Sequence, residues 1–182
     1  MPAALDRYYT REEVLAFPDD GSRYELVHGE LLVTPSPAVS HQLVIGRLFA
    51  RLFDYVERHA VGRAFTSPAD VSWGLKDVIV QPDIFVVAAR EARAATWDAM
   101  RRFSLVVEVL SPASARHDRF TKRRLYQERG VPLYWLIDTV NRRVELWTPM
   151  ATAPEYEEYR LSWHPEGAPE PFTLELGQLF AP

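Results

Sequence analysis

The run Leu-Val-Val-Glu-Val-Leu at residues 105–110 constrains the fold most, because five apolar residues surround a single acid. A continuous apolar run of this length, rich in valine, is typical of a strand that is covered on both faces of a sheet. An ionised Glu108 in such a strand would cost several kcal/mol to desolvate, unless it is paired or bound to a metal. The alternative is a strand with one open face, from which Glu108 points to water.

Patterns on either side of this run predict further elements. Thr10 and Glu13 have the spacing of a capping box, which predicts a short helix to about residue 17. Apolar positions from Ile45 to Val56 have helical spacing and predict a long amphipathic helix that ends at Gly62. The other expected elements are a hairpin at 24–27 and 30–33, strands at 63–66, 71–73, 78–81, 84–87, 133–137 and 143–147, and helices at 88–100 and 116–129. This order favours an α/β (α+β) fold, in which a mixed sheet is flanked by helices.

The length of 182 residues predicts one domain over residues 1–182. We expect a helix and turn at 1–22 and an irregular C-terminal appendage at 150–182, which is rich in proline and glutamate. The absence of cysteine excludes disulfides, thiolate metal sites and cysteine nucleophiles. No apolar run approaches the ~18 residues of a membrane span, and the first residues lack the apolar stretch of a signal peptide. The sequence therefore predicts a cytoplasmic protein that does not contact membranes.

A second acid, Asp83, follows Pro82 at the start of another β-rich run. Proline breaks the sheet ladder locally, so it can direct Asp83 into a cleft. Two carboxylates in a cleft suit a hard divalent cation, and Mg²⁺ or Mn²⁺ fits better than zinc. The histidines, of which His41 is the first to test, include no His-x-x-x-His pair: His28, His41, His59, His117 and His164.

The segment at residues 116–129 carries six basic and two acidic residues, in a chain whose formal net charge is −4. Its arginines are candidates for contacts with nucleic-acid phosphates: Arg116, Arg119, Arg123 and Arg124. The alternative is a solvated helix face that pairs with acids elsewhere. Lys122 is informative because Lys76 is the only other lysine, and a compact ammonium differs chemically from a guanidinium.

These residues resemble the restriction-endonuclease-like fold with its PD-(D/E)XK signature, and more narrowly the Uma-type family of bacterial nucleases. Pro82-Asp83 matches the PD element. Glu108 matches the acid of the second element, but Leu110 stands where the superfamily usually has lysine. In the Uma-type pattern the lysine is displaced onto the following helix, and Lys122 is similar to that displaced residue.

Residues 24–31, 107–112 and 134–138 also resemble recurring segments of the family, so the similarity runs from about residue 24 to residue 147. The resemblance implies a magnesium-type site and phosphodiester cleavage, without an organic cofactor. It implies that Asp83 and Glu108 hold the metal and that Glu25 is an accessory acid. Lys122 would orient a metal-bound water or neutralise charge on the phosphoryl oxygens.

The leading hypothesis is thus a metal-dependent endonuclease that acts on DNA. One alternative is a nuclease-like fold that binds nucleic acid or protein without chemistry, which the missing lysine at position 110 and the acidic net charge both favour. Another is a metal hydrolase that acts on a small phosphoester. A homodimer is expected if the enzyme cuts both strands of a duplex, and the sequence does not choose between DNA and RNA.

Overall fold

A six-stranded mixed sheet forms the centre of the computed structural model, which describes residues 7–91, 93 and 96–181. The strands are β1 (Arg23–Val27), β2 (Glu30–Thr34), β3 (Gly62–Thr66), β4 (Val78–Ile79), β5 (Ile84–Ala88), β6 (Phe103–Val109), β7 (Tyr134–Asp138), β8 (Arg143–Trp147), β9 (Glu155–Glu157), β10 (Arg160–Trp163) and β11 (Phe172–Glu175). The helices are α1 (Arg11–Leu15), α2 (Val39–His59), α3 (Ala115–His117), α4 (Arg123–Glu128) and α5 (Leu176–Leu179), with a π-helical turn (Asp118–Lys122) between α3 and α4. The central sheet has the order β3-β5-β6-β7-β8-β9, and β2-β1-β4 and β10-β11 form two smaller sheets.

Strand β6 occupies an interior position of the sheet, as its apolar sequence predicts. It pairs antiparallel with β5 and parallel with β7, and the helical residues 115–128 form the crossover to β7. Val107 and Val109 pack in the apolar cluster of α2, whereas Val106 packs on the other face with Tyr126 of α4. Because side chains alternate along a strand, Glu108 lies on the same face as Val106. The predicted mixed sheet with flanking helices is confirmed.

The N-terminal elements cover the face of the sheet that carries Glu108. Helix α1 begins with the predicted capping box, in which Thr10 and Glu13 satisfy each other's backbone N–H groups. The predicted hairpin forms β1 and β2, and Leu26 of β1 pairs with Ile79 of β4. This small sheet carries Arg23 and Glu25 towards the central sheet.

Two sequence-based expectations for residues 60–73 are wrong. Helix α2 ends at His59, and the next residue, Ala60, caps it with a left-handed φ of 53°. Gly62, expected to end the helix, instead begins β3. Glycine is needed there because a Cβ atom would lie 2.2 Å from the carbonyl oxygen of Val87 on β5. Residues 71–73 form no strand, since Val71 makes only an isolated bridge and Trp73 turns the chain with a φ of 51°.

The expected helix at 88–100 is also wrong. Its described residues form two 3₁₀ turns, Ala89–Glu91 and Trp97–Ala99, and residues 92, 94 and 95 lie outside the described part of the chain. Alanine content favours a helix, but a short segment gains little from propensity alone. Trp97 instead packs edge-on against Phe65 and Phe85, which holds this segment against the sheet.

The C-terminal residues 150–182 are regular rather than irregular over their described part, which ends at residue 181. Strand β9 extends the central sheet, and β10 pairs with β11 in an antiparallel hairpin. Every second residue of this hairpin is buried, and Trp163 and Phe172 pack against Tyr55 of α2. Prolines in the connecting loops conceal these short alternating strands in the sequence. No helix of the described residues is long and apolar enough to cross a membrane.

Candidate functional site

A cavity of about 220 Å³ lies where the N-terminal hairpin, the start of α2 and the end of β6 meet. Its lining consists of Arg23, Glu25, Thr34, Pro35, Ser36, Pro37, Ala38, His41, Asp83, Glu108, Ser111, Pro112, Ala113, Ser114, Asp118 and Lys122. The four predicted site residues Glu25, Asp83, Glu108 and Lys122 are therefore all at one place. They come from β1, the residue before β5, β6 and the π-helical turn.

Lys122 makes the central contacts of this site. Its Nζ lies 2.8 Å from Glu25 Oε2 and 2.9 Å from Glu108 Oε1. It also lies 3.3 Å from Asp118 Oδ1, an ion-pair contact without hydrogen-bond geometry. All four side chains are buried, so one ammonium compensates three carboxylates out of contact with bulk water. The solvent-facing alternative for Glu108 is wrong.

Helix geometry explains why these contacts form. Residues four apart share a helix face, so Asp118, Lys122 and Tyr126 point together towards β6. The hydroxyl of Tyr126 donates a hydrogen bond of 3.0 Å to Glu108 Oε1. The hydroxyl of Tyr134 donates to the carbonyl of Asp118 at 3.1 Å, which anchors the π-helical turn. π-helical turns are rare in proteins, and those that occur often lie at functional sites.

Asp83 is held by a separate set of donors. Its Oδ1 accepts a hydrogen bond of 3.0 Å from Nη1 of Arg23, and its Oδ2 accepts one of 2.8 Å from the N–H of Val109. Nε2 of His41 lies 3.3 Å from Asp83 Oδ2 and 2.9 Å from the carbonyl oxygen of Val109. Since Val109 follows Glu108 directly, these bonds place Asp83 beside Glu108 and its partner Lys122.

The proton affinities of the two metal-binding candidates move in opposite directions. Burial alone would raise the pKa of Asp83, but the His41 hydrogen bond, the Arg23 charge and the Val109 N–H hold it below its usual value. Burial raises the pKa of Glu108 well above its usual value, and the neighbouring carboxylates raise it further against the opposing effect of Lys122. Asp83 is therefore ionised at neutral pH, whereas Glu108 binds a proton much more readily.

Lys122 and Asp118 complete the electrostatics of the cavity. Burial alone would lower the pKa of Lys122, but Glu108, Glu25 and Asp118 raise it well above its usual value. Lys122 therefore keeps its charge at neutral pH. Burial also raises the pKa of Asp118, although Lys122 opposes this effect.

The donor set suits the charge of a divalent cation. Four buried carboxylates, Glu25, Asp83, Glu108 and Asp118, face only two permanent cations, Arg23 and Lys122. The excess of two negative charges is relieved either by protons or by one divalent ion, and carboxylate oxygens are the ligands that Mg²⁺ and Mn²⁺ prefer. As arranged, no three acidic or imidazole groups among the described residues form a ready metal cage. Arg23 and Lys122 contact the oxygens that a metal would take.

The arginines of the basic segment fall into two groups. Arg116 and Arg124 are exposed. Arg119 forms ion pairs with Asp138 at 3.2 Å and with Glu145 at 2.7 Å. Arg123 donates to the carbonyl of Arg119 and to Gln127, and its guanidinium lies 4.5 Å from the centre of the Trp147 ring. The local positive charge is therefore partly neutralised by acids that are distant in sequence.

Sequence analysis missed two residues of the cavity as site residues. Asp118 lies four residues before Lys122, so helical spacing could have placed it on the same face. Arg23 lies two residues before Glu25 on β1, so strand alternation could have placed both on one face. His41 was singled out from the sequence, but without its contact to Asp83.

The comparisons with known proteins agree over almost the whole chain. Residues 11–178 match the model of the Uma2 family, described as "Putative restriction endonuclease". The crystal structure of a "putative nuclease belonging to DUF820" from Anabaena variabilis ATCC 29413 is similar, with a TM-score of 0.77 and 22% sequence identity. The match covers 95% of this chain and 98% of that chain, which shows a common fold. A search of curated proteins gave no match. Because the family model spans most of its length, the chain belongs to the Uma2 family.

Proposed function

We propose that the protein is a metal-dependent endonuclease that hydrolyses phosphodiester bonds of DNA. The observation that carries this proposal is the contact of 2.9 Å between Lys122 and Glu108, beside the aspartate of the PD pair. It supplies the acid and the lysine of a nuclease site, although position 110 is leucine. The description of the Uma2 family supports the same activity, as does the similar fold of the Anabaena variabilis protein described as a "putative nuclease".

In this proposal Asp83 and Glu108 hold Mg²⁺ or Mn²⁺. The bound ion would supply Lewis-acid activation of the phosphate and of an attacking water. Lys122 acts as a fixed positive charge rather than as a base, because its pKa is raised and three carboxylates hold it as an ammonium. Glu25 contributes by fixing Lys122 from the opposite side, at 2.8 Å. The charge of Lys122 would stabilise negative charge that grows on the phosphoryl oxygens.

The basic segment would bind the nucleic-acid backbone. Exposed Arg116 and Arg124 can contact phosphates without breaking an existing ion pair of the described residues. Arg119 and Arg123 would contribute through the field of the segment, since both already hold internal contacts. Two copies of the chain would place two sites on the two strands of a duplex, so we extend the proposal to a homodimer on DNA.

Cleavage of supercoiled plasmid in Mn²⁺ tests the activity. We expect wild-type protein to nick the plasmid, a chelator to stop the reaction, and Asp83→Ala to abolish it. Asp54→Ala is the matched control, because Asp54 is an exposed acid that pairs with Arg58 on α2. Equal cleavage by Asp83→Ala and wild type would identify a contaminating nuclease and contradict the proposal.

The described carboxylates also favour a second candidate, a binding module without chemistry. Glu25, Asp83 and Glu108 are already paired with Lys122 or Arg23, and no ready metal cage is found among the described residues. This candidate predicts that the protein retains plasmid on a gel in the presence of Mn²⁺ without nicking it. Nicking that depends on Asp83 excludes it.

A further inference from the structure

Arg23 stands at the boundary between the acid-lined cavity and a second, larger cleft. The second cleft has a volume of about 430 Å³. Its lining includes Phe17, Arg23, Tyr24, Gln42 and residues 35–37. Arg23 and residues 35–37 line both spaces, so the cleft continues the candidate site rather than forming a separate one.

Arg23 is the more accessible of the two cations that compensate the buried acids. Its side chain is 21% exposed, whereas that of Lys122 is 3% exposed. Among the described residues, its hydrogen bonds to Asp83 and to the carbonyl of Gln81 both come from Nη1. The guanidinium therefore retains donors on Nε and Nη2, in the planar fork that suits a phosphate.

The two spaces differ in what they can hold. Ligand pockets usually have volumes of at least ~300 Å³. The cavity of about 220 Å³ is smaller than this volume, whereas the cleft of about 430 Å³ is larger. The cleft is also lined by the half-buried aromatic rings of Phe17 and Tyr24, which pack edge-on against each other, and by the exposed amide of Gln42. A base can stack on such rings irrespective of its identity.

We infer that Arg23 binds a substrate phosphate and that the cleft holds the nucleoside attached to it. This inference rests on the proposed function and narrows its substrate class to DNA whose target nucleotide is unpaired, either in a single strand or in a locally opened duplex. A base bound in the cleft is no longer stacked on its neighbours or paired with the opposite strand. The free energy of unstacking and unpairing is smallest where the DNA is already single-stranded. Arg23 touches the substrate and is thus a catalytic residue of the proposed reaction.

The contact between Arg23 and Asp83 links the binding of the substrate phosphate to the binding of a metal ion. Arg23 and a metal ion compete for the same carboxylate, because Arg23 lies 3.0 Å from Asp83 Oδ1. A metal on Asp83 weakens this ion pair and frees the guanidinium for the phosphate. Loss of Arg23 should therefore weaken DNA binding and strengthen metal binding, two effects of opposite sign that a purely structural role would not produce.

The test measures the two affinities separately on the full chain. Binding of a fluorescent single-stranded oligonucleotide in chelator should weaken ~10–100-fold in Arg23→Met, the loss expected for a charged hydrogen bond. Arg23→Lys should be intermediate, because it keeps the charge but not the fork. Calorimetry with Mn²⁺ alone should show several-fold tighter binding in Arg23→Met. Arg63→Met, at an exposed arginine of β3 that lines neither space, should change neither affinity.

Gln42→Trp narrows the cleft without removing a charge, and it remains informative if Arg23→Met does not fold. It should weaken binding of the single strand and leave Mn²⁺ affinity unchanged. Three results would each overturn the inference. Arg23→Met could bind DNA as tightly as Arg63→Met, or it could bind Mn²⁺ more weakly than wild type. The wild-type protein could also prefer fully paired duplex DNA to single strands. If wild-type protein binds single strands through Arg23 but never cleaves them, the proposed nuclease activity is wrong. The inferred binding of the phosphate by Arg23 and of the nucleoside by the cleft would remain valid.

Discussion

The ammonium of Lys122 bridges Glu25 on β1 and Glu108 on β6, at 2.8 and 2.9 Å. One buried cation therefore joins the N-terminal hairpin, the central sheet and the crossover helix. It also lines the cavity on which all four predicted site residues converge. Stability and proposed chemistry consequently depend on the same side chain.

Lys122→Met should destabilise the fold strongly. Removal of one partner from a buried ion pair typically costs ~3–5 kcal/mol, because it leaves the opposite charge uncompensated. The loss should be larger at pH 8 than at pH 5, because the pKa values of Glu108 and Asp118 are raised and protons on these two acids can replace the ammonium at the lower pH. Denaturant unfolding at both pH values measures it. Lys76→Met, at the exposed second lysine, should unfold like wild type, and a similar result for Lys122→Met would contradict the burial argument.

Glu108→Gln should have the opposite effect on the metal-free protein. Because the folded-state pKa of Glu108 is raised, its stabilising contribution is present below about pH 4.5, the value for the unfolded chain, and is lost as pH rises through the folded pKa. Glutamine has no charge to desolvate, so the melting temperature in chelator should exceed that of wild type at pH 8. A gain of about 1 kcal/mol corresponds to ~2–4 °C. Glu57→Gln, an exposed glutamate of α2, is the control, and an equal gain there would refute the assignment.

Mn²⁺ should stabilise the folded protein more at pH 8 than at pH 6. Metal ligands must be deprotonated, and the raised pKa of Glu108 makes proton release part of binding. A hundredfold excess of Mn²⁺ over its Kd adds ~2.7 kcal/mol by ligand linkage. Thermal melts at the two pH values, with and without Mn²⁺, measure the difference. A stabilisation that is independent of pH, or that persists in Asp83→Asn, would place the ion elsewhere.

The four arginines of the basic segment should separate into two pairs. Arg116→Gln combined with Arg124→Gln should lower the slope of log affinity against log salt by ~2 units, about one for each lost phosphate contact. Arg119→Gln should instead reduce stability by about 1–3 kcal/mol, since it leaves Asp138 and Glu145 without their partner. Arg160→Gln, on the C-terminal hairpin, should change neither the slope nor the fold beyond experimental scatter. An unchanged slope in the double variant would show that these two arginines do not contact phosphates and that the segment is an ordinary solvated helix face.

Local patterns predicted the parts of the fold that depend on local interactions. The capping box of α1, the hairpin of β1 and β2, and the buried strand β6 each follow from residues near in sequence. The C-terminal hairpin was missed because its short strands are recognisable only through packing of Trp163 and Phe172 against Tyr55, more than 100 positions away.

The candidate site shows the same limit. Asp83, Glu108 and Lys122 stand out as charged residues in unusual sequence surroundings, and the family resemblance adds Glu25. The ion pairs of Arg119 with Asp138 and Glu145 do not follow from the basic run, because they depend on the register of β7 and β8. Likewise, helical spacing indicates which residues share a face with Lys122, but only the fold shows that this face is buried.

The most direct measurement is a Mn²⁺ titration followed by two signals on one preparation, the rate of plasmid nicking and the heat of metal binding. If Asp83 and Glu108 hold the catalytic ion, nicking and heat should reach half-saturation at the same Mn²⁺ concentration, and Glu108→Gln should lose both while it remains folded. Nicking that saturates at a different concentration from the heat, or that survives in Glu108→Gln, would contradict the assignment of this site.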